Sequence, residues 1–490
     1  MPVVTEQRTR ALAALGAALA FICTELPAAS VSAAELTVHP VPRTALVAAV
    51  NTLEGALVQA YQGNPQLNAQ RSSLRTTDEN VPQALSGYRP RVSATIQVAE
   101  QYTDVTTRAF VNNRPSYTQQ SGTMTPQTYS LNTSYTAFNG FQTGNRTRQA
   151  ESQVFAARET LRVTVQTVLL DAVTAYMNLL RDSAILDLQR RNVEVLQEQL
   201  RQTRDRFNVG EVTRTDVAQS ESRLAAGRSS MLTAESNYTT SRAIYRRVIG
   251  VDAGRLSPGT PVDRFSPRIL GEAVALGEQE NPSVRATMYG VDVATLQVKI
   301  AEGVLYPVVT LNANVTESRE TSLNTLRTFQ ATAQTQVTIP IYQGGSEYSQ
   351  IRQSKETVGQ RRLELAGTRD QARSNVVQAW GQLEAAKAQI QATQAQVAAA
   401  EIALNGVREE ARVGQRTTLD VLNAQQELVN ARVSLVTAQR DRVVASYALL
   451  SAVGRLSPTT LGLPVPIYDP MIHYQQVRDA WAGVRNPDGR

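Results

Sequence analysis

The sequence has 490 residues, a formal net charge of +6 and no run of five basic residues, so nucleic-acid binding has no electrostatic basis. Two histidines, one cysteine and two tryptophans leave few side chains for metal binding or nucleophilic catalysis. An enzymatic interpretation would rest on scattered carboxylates whose spacing selects no pair, and we therefore expect neither an enzyme nor a cofactor.

Residues 1–34 have the features of a secretory signal peptide. Two arginines precede an apolar run from Ala11 to Cys23, and small residues at 31–34 offer a cleavage site. This order is typical of a signal sequence, and a short buried helix is the alternative. After residue 34 no stretch has the roughly 18 uninterrupted apolar residues of a membrane-spanning helix. A membrane crossing would therefore have to use strands.

Four segments alternate apolar and uncharged polar residues with the period of a β-strand. They cover residues 92–102, 128–137, 309–317 and 329–341. Each is about long enough to cross an outer membrane when tilted, and the two faces suit a barrel wall with lipid outside and water within. The edge of a soluble sandwich is the alternative. The polar loops at 103–127 and 318–327 would face the outside of the cell.

Two long tracts without proline follow the strand pairs. Apolar residues recur every seven positions over residues 165–207 and 376–411, a pattern typical of helices that pack as coiled coils. Helices over about 145–208 and 346–412 would each be about 100 Å long. Each helix would then meet a glycine, turn and return as a second helix, so that each half of the chain forms a very long helical hairpin.

The two halves are copies of one unit. The stretch "VGEVTRTDVAQSESRL" at 209–224 returns as "VGQRTTLDVLNAQQEL" at 413–428, and "GRLSPGT" returns as "GRLSPTT", which indicates a tandem duplication. The predicted organisation begins with the signal peptide (1–34) and ends with a C-terminal collar segment and tail (461–490). The first repeat (35–260) has a helix, a β-hairpin at about 91–138 and a helical hairpin at about 145–250. The second repeat (261–460) has a helix, a β-hairpin at about 308–342 and a helical hairpin at about 346–454.

Four strands are too few to close a barrel. Single-chain transmembrane barrels begin at eight strands, and open edges would leave backbone groups unsatisfied in lipid. Three copies would supply twelve strands and a ring of helical hairpins. We therefore expect an α+β membrane protein, a homotrimer in which a twelve-stranded β-barrel with four strands per chain continues into a long α-helical coiled-coil barrel.

Four short motifs occur in the same order in both halves. Asn-Pro precedes a helix, Tyr-x-Pro or Tyr-Pro opens a strand, aromatic-x-Gly opens a long helix, and a glycine six residues before an aspartate marks the hairpin tip. This order resembles the TolC family of outer-membrane efflux and secretion channels. The C-terminal "LPVPIYDPMIHYQQVRDAWAG" at 463–483 is similar to the branch that serves type I protein secretion.

The resemblance implies a passive channel. Its strand barrel would sit in outer-membrane lipid and its helical barrel would cross the periplasm. A periplasmic adaptor would join it to an inner-membrane ATP-binding cassette exporter, or to a proton-driven pump if the chain is a multidrug efflux channel. An exported coiled-coil structural protein or adhesin is the alternative from another class, but it leaves the four alternating segments without a purpose.

The resemblance also assigns roles at the tips of the helical hairpins. Asp420 falls on an acidic position that rings the narrow periplasmic entrance, and Asn423 stands where a second acid is found, so the ring would attract cations less strongly. Thr215 and Asp216 match the first-half partners of links that keep the entrance closed, and Arg416 matches the basic partner in the second half.

The resemblance also implies a role for the turns at the two hairpin tips. Val209 and Gly210, with Val413 and Gly414, would form the turns and contact the adaptor. Ala411 replaces a tyrosine that adds a further link in the family, so the closed state would be held less firmly.

Simpler roles stay open for the charged tip residues. Asp216 and Asp420 would also serve as helix N-caps, and Arg416 as a solvated surface side chain. The sequence does not identify the cargo as a protein or as a drug.

Overall fold

The computed structural model describes residues 51–486, so the predicted signal peptide lies outside the described residues. The first repeat contains α1 (Leu53–Gly63), α2 (Pro65–Asp78), α3 (Asn80–Leu85), β1 (Arg91–Val98), β2 (Gln101–Val111), β3 (Arg114–Met124), β4 (Gln127–Asn139), α4 (Gln142–Asn208) and α5 (Arg214–Ile249). The second repeat contains α6 (Leu270–Glu280), α7 (Pro282–Glu302), β5 (Val308–Ser322), β6 (Thr325–Thr338), α8 (Ser346–Arg412) and α9 (Thr418–Ala452), and α10 (Pro458–Leu461) and α11 (Pro470–Val477) follow.

The Asn-Pro motif performs the same task in both repeats. Asn64 caps α2 and Asn281 caps α7, and each side-chain oxygen accepts a backbone hydrogen bond at 2.9 Å while a proline occupies the first turn. The amide nitrogen of Asn64 donates to the carbonyl of Val248 at 3.1 Å, and that of Asn281 donates to Ala452 at 3.0 Å. Each asparagine therefore starts a helix and ties it to the end of the hairpin in its own repeat.

The strands form an open antiparallel sheet in the order β1-β4-β5-β6, in which the β4–β5 pairing joins the two repeats. The register puts apolar side chains on one face of the sheet and polar side chains on the other. The apolar face carries Val92, Ala94, Ile96, Val98, Tyr129, Leu131, Leu311, Ala313, Val315, Phe329, Ala331 and Ala333. The polar face carries Ser93, Thr95, Gln97, Ser130, Asn132, Ser134, Asn312, Asn314, Gln330, Thr332 and Gln334. Such faces suit lipid on one side and water on the other.

Both predicted extracellular loops are largely strand, which corrects that part of the sequence interpretation. Residues 103–127 form most of the β2–β3 ribbon, and residues 318–327 are strand except at the turn between Ser322 and Thr325. The β2–β3 turn has positive φ at both Asn112 (51°) and Asn113 (61°). Two consecutive residues with positive φ are what a tight two-residue hairpin turn requires, and asparagine tolerates that conformation.

The main core surrounds the middle of α4. Leu169, Ala172, Val173 and Tyr176 are fully buried there against α1, α2, α5 and α9. The Tyr176 hydroxyl lies 2.9 Å from the carbonyl oxygen of Asn51 and 2.7 Å from that of Ser257, and burial raises its pKa to about 12. The predicted heptad positions thus supply the core of the helical part.

One described helix, α4, is long and apolar enough by composition to cross a membrane. Half of its most apolar window is buried inside the chain, and this window includes the core residues around Tyr176. We therefore assign α4 as a core helix.

The C-terminal segment after α10 packs on the first repeat. Asp469 caps α11, and the imidazole Nδ1 of His473 lies 3.0 Å from the carboxylate of Asp78. Asp78 is fully buried, and this burial raises its pKa. Arg89 donates to the carbonyl of Ala480 at 2.7 Å. These contacts fix the segment across α2 and the entry to the sheet.

Candidate functional site

The hairpin tips are the turns between α4 and α5 and between α8 and α9. Val209 and Val413 are 72% and 71% exposed, and the following Gly210 and Gly414 have φ of +80° and +79°. A Cβ atom at either glycine would find no heavy atom within 4 Å, so conformation and not space requires glycine here. The four predicted turn residues are therefore exposed and nearly identical in geometry in the two repeats.

A capping box starts the second helix of each hairpin. The Thr213 hydroxyl accepts from the Asp216 amide at 3.3 Å, and the Asp216 carboxylate accepts from the Thr213 amide at 2.9 Å. Thr417 and Asp420 repeat this arrangement at 3.3 and 3.0 Å. The simpler interpretation of both aspartates as N-caps is therefore wrong, because the threonines are the N-caps and the aspartates sit three residues later, where they bond back to them.

The charges at the second tip belong to one local network. The Arg416 guanidinium donates to Glu410 at 2.8 Å, and this bond raises the pKa of Arg416. Hydrogen bonds from the Thr417 backbone and side chain lower the pKa of Asp420, and the nearby charge of Arg416 adds to the effect. In the described chain Arg416 pairs within its own hairpin, so its link to Thr215 or Asp216 stays a prediction for the assembled entrance.

A contact between the two hairpins was missed by the sequence interpretation. The Arg223 guanidinium of α5 donates to the Asn423 side-chain oxygen of α9 at 2.5 Å. Beside it, Leu422 is buried in a cluster with Leu224 and Leu196. Asn423 was predicted only as a constriction residue. No local pattern in the sequence signals this contact, because it joins residues of two separate hairpins.

Among residues 51–486, no group of three or more histidine, cysteine, aspartate or glutamate side chains is arranged to hold a metal ion. The tips offer carboxylates, guanidiniums, exposed valines and positive-φ glycines, and this set suits electrostatic contacts and protein docking.

An open four-stranded sheet that continues into two helical hairpins with matched polar tips defines a subunit of a membrane channel. The model of the outer membrane efflux protein family matches residues 56–251 and 275–455, and the chain belongs to this family. The outer membrane efflux protein BepC of Brucella suis biovar 1 (strain 1330) is 41% identical over 471 residues, which cover 96% of this chain and 98% of BepC.

More distant relatives include an outer membrane protein and a protease secretion protein. The outer membrane protein TolC of Escherichia coli K12 is 27% identical over 313 residues, 60% of this chain and 63% of TolC. The alkaline protease secretion protein AprF of Pseudomonas aeruginosa PAO1 is 23% identical over 330 residues, 66% of this chain and 69% of AprF. The crystal structure of the Campylobacter jejuni CmeC outer membrane channel superposes with a TM-score of 0.73 at 16% identity, covering 87% of this chain and 89% of CmeC.

These comparisons confirm the predicted TolC-like fold, in which a trimeric strand barrel continues into a helical barrel. They also confirm the outer membrane as the location, with a periplasmic extension. The protein is an outer-membrane efflux channel and not an enzyme, because the members of its family are channels. The alternative of an exported adhesin is therefore wrong.

Proposed function

We propose that the protein is the passive exit duct of a tripartite export system, in which a periplasmic adaptor joins the trimer to an inner-membrane transporter. The observation that carries this proposal is the matched pair of tips. Each tip lies at the end of a helix of 67 residues, about 100 Å from the strands. A tip placed so far from the outer membrane reaches the depth at which an adaptor would dock.

The proposed entrance is formed by the second tip of each copy. Three Asp420 carboxylates would surround the opening and favour cations, with Asn423 beside them. Arg416 would link to Thr215 and Asp216 of the first tip while the entrance is closed, because its guanidinium can exchange the Glu410 carboxylate for the Asp216 carboxylate and the Thr215 hydroxyl.

The adaptor contact is proposed at the exposed turns. Val209 and Val413 present apolar side chains at the extreme ends of the hairpins, and the adjacent Gly210 and Gly414 leave the backbone accessible. A surface of this kind suits a partner that inserts between the tips.

Type I protein secretion is the cargo class we favour. The similarity of residues 463–483 to that branch and the relation to AprF, a protease secretion protein, support it. The transporter would then be an ATP-binding cassette exporter. Small-molecule efflux through a proton-driven pump is the second candidate, and the relation to BepC, which is named an efflux protein, favours it.

Single-channel recording of the purified mature trimer in a planar bilayer tests the duct. We expect discrete, cation-preferring conductance steps. Arg416→Ala should raise the open probability, and Asp420→Asn should reduce the preference for cations. Arg361 provides the matched control, because it forms an equivalent exposed ion pair with Glu364 at 2.7 Å in the shaft of α8. A silent bilayer with intact trimers of both the wild type and the Arg416→Ala variant would contradict the proposal.

A deletion strain separates the two cargo classes. Loss of extracellular proteins with unchanged drug sensitivity is expected for type I secretion. Increased drug sensitivity with normal protein secretion would assign the chain to efflux.

A further inference from the structure

The β2–β3 ribbon continues the lipid-facing wall of the barrel without a change of face. Val98 pairs with Gln127 at the end of the β1–β4 ladder, and Gln101 pairs with Met124 at the start of the next ladder. The Ala99 amide donates to the Pro126 carbonyl at 3.1 Å between them. Because no residue is inserted on either strand, side chains that alternate with the period of two stay on the same side.

The opposite side of the ribbon is covered by the second β-hairpin. The Asn324 side chain donates to the Gln120 side chain at 3.1 Å, and a Cβ atom on Gly122 would lie 2.9 Å from the Leu323 side chain. Met124 on this side is buried. One face of the ribbon is therefore covered by the second β-hairpin, and the opposite face points outward.

The outward face carries an aromatic and cationic patch. Tyr102, Phe110 and Tyr117 are 68%, 64% and 64% exposed. The Arg108 guanidinium lies 4.8 Å from the Phe110 ring centroid and 5.9 Å from that of Tyr117. Among residues 51–486 Arg108 forms no salt bridge, whereas Asp104 on the same face accepts two hydrogen bonds at 3.0 Å from Gln119.

We propose that this face, defined by Tyr102, Arg108, Phe110 and Tyr117, binds the phosphorylated sugar headgroups of lipopolysaccharide in the outer leaflet. The ribbon extends about 35 Å beyond the sheet and stands on the lipid side, so its outward face meets the headgroup layer. An arginine supplies hydrogen bonds to phosphate, and exposed aromatic rings supply amphipathic surface of the kind that anchors proteins at a membrane interface.

The residues below the patch support the same assignment. Arg319 and Arg327 lie on the outward face at the upper end of the apolar band, and Glu317 pairs with both at 2.9 Å. The band thus ends in a network of two guanidiniums and one carboxylate with a net positive charge, and Arg108 adds a further cation higher on the ribbon. Positive charge that is attracted to anionic headgroups therefore lies at two levels of the outward face, at the end of the band and at Arg108.

Titration of the intact trimer in nanodiscs with fluorescent lipopolysaccharide tests the proposal. Arg108→Gln should raise the dissociation constant about tenfold, as loss of a charged hydrogen bond predicts, and Arg108→Lys should restore part of the affinity. Arg114→Gln is the matched control, since Arg114 pairs with Val111 and so lies on the opposite face of the same ribbon. Dephosphorylated lipopolysaccharide should bind the wild-type trimer as weakly as the intact lipid binds the Arg108→Gln variant.

Three results would overturn the proposal. Equal weakening by the Arg108 and Arg114 variants, or equal affinity for phosphatidylglycerol, would mean diffuse attraction without a site. Dissociation of the Arg108→Gln trimer would place the face between copies of the chain. Conductance of the same variant gives an independent check, because a duct that conducts normally and does not bind the glycolipid refutes this inference alone.

Discussion

The long helices α4 and α8 have the same length of 67 residues and the same turn at their ends, but they are buried very differently. Twenty residues of α4 are buried and only eleven of α8, because α1 to α3, α7 and α9 all pack on α4. On α8, Leu363 and Ile402 remain 76% and 74% exposed. Duplication therefore supplied two equal rods, and the elements packed around them made one a core helix and left the other with apolar surface for neighbouring copies.

The largest effect should come from matched aromatic positions on the two rods, Tyr176 and Trp380. Tyr176→Ala should lower the stability of the trimer by about 3 to 5 kcal/mol, because it opens a cavity in the main core. Trp380→Ala should cost clearly less, since Trp380 is only partly buried against the smaller α8 cluster. Thermal unfolding in detergent measures both.

Equal losses of stability at the two positions would contradict the predicted difference between α4 and α8. They would show that a neighbouring copy buries Trp380 as fully as the chain itself buries Tyr176. Tyr176→Phe is the control for the hydroxyl, and we expect it to cost about 1 kcal/mol.

The same contrast explains what sequence can and cannot predict here. The heptads predicted both rods because a seven-residue period records burial along one helix. The β2–β3 ribbon was taken for a loop because its strands are polar and threonine-rich, and its Asn112-Asn113 turn was not recognised. The Arg223–Asn423 contact depends on how two separate hairpins are aligned, which no local period encodes.

The two hairpin tips should lose equal stability on matched substitution, unlike the two long helices. Gly210→Ala and Gly414→Ala should each destabilise the local turn by about 1 to 2 kcal/mol, since both residues hold φ near +80° and a side chain disfavours that region. Hydrogen exchange at the amides of Glu211 and Gln415, which bond back to the preceding helices at 2.8 and 2.9 Å, measures each opening. A large difference would mean that the assembled entrance constrains only one tip.

The Arg223–Asn423 contact gives a smaller effect of about 1 kcal/mol. Arg223→Ala should raise the open probability about fivefold by releasing α5 from α9. Asn423→Asp should instead strengthen the contact as an ion pair and lower the open probability, while the carboxylate added beside Asp420 should raise the preference for cations. Arg204, which pairs with Glu221 at 2.5 Å inside the first hairpin, is the control. If Asn423→Asp raises the open probability, the contact between Arg223 and residue 423 does not hold the hairpins together.

The smallest effect concerns the charge of Asp420. Its pKa is lowered by the Thr417 hydrogen bonds, so the carboxylate contributes to the capping box at every pH above the ordinary aspartate range near 3.8 and loses this role only as the pH falls through the lowered value. Cation preference should therefore stay constant between about pH 7 and about pH 5. Asp420→Asn, which carries no charge at any pH, sets the baseline for ion selectivity.

A loss of cation preference within that pH range would mean that the pKa of Asp420 is raised in the trimer, and not lowered. Three carboxylates held close together raise one another's pKa, so early titration would mean that the copies bring their Asp420 side chains within a few ångströms. Constant preference would mean that each Asp420 keeps the local partners it has in the single chain and that the opening is wide. The pH profile of the second tip thus reports the distance between copies, and the same experiment on Asp420→Asn combined with Arg416→Ala separates that distance from the local field of the arginine.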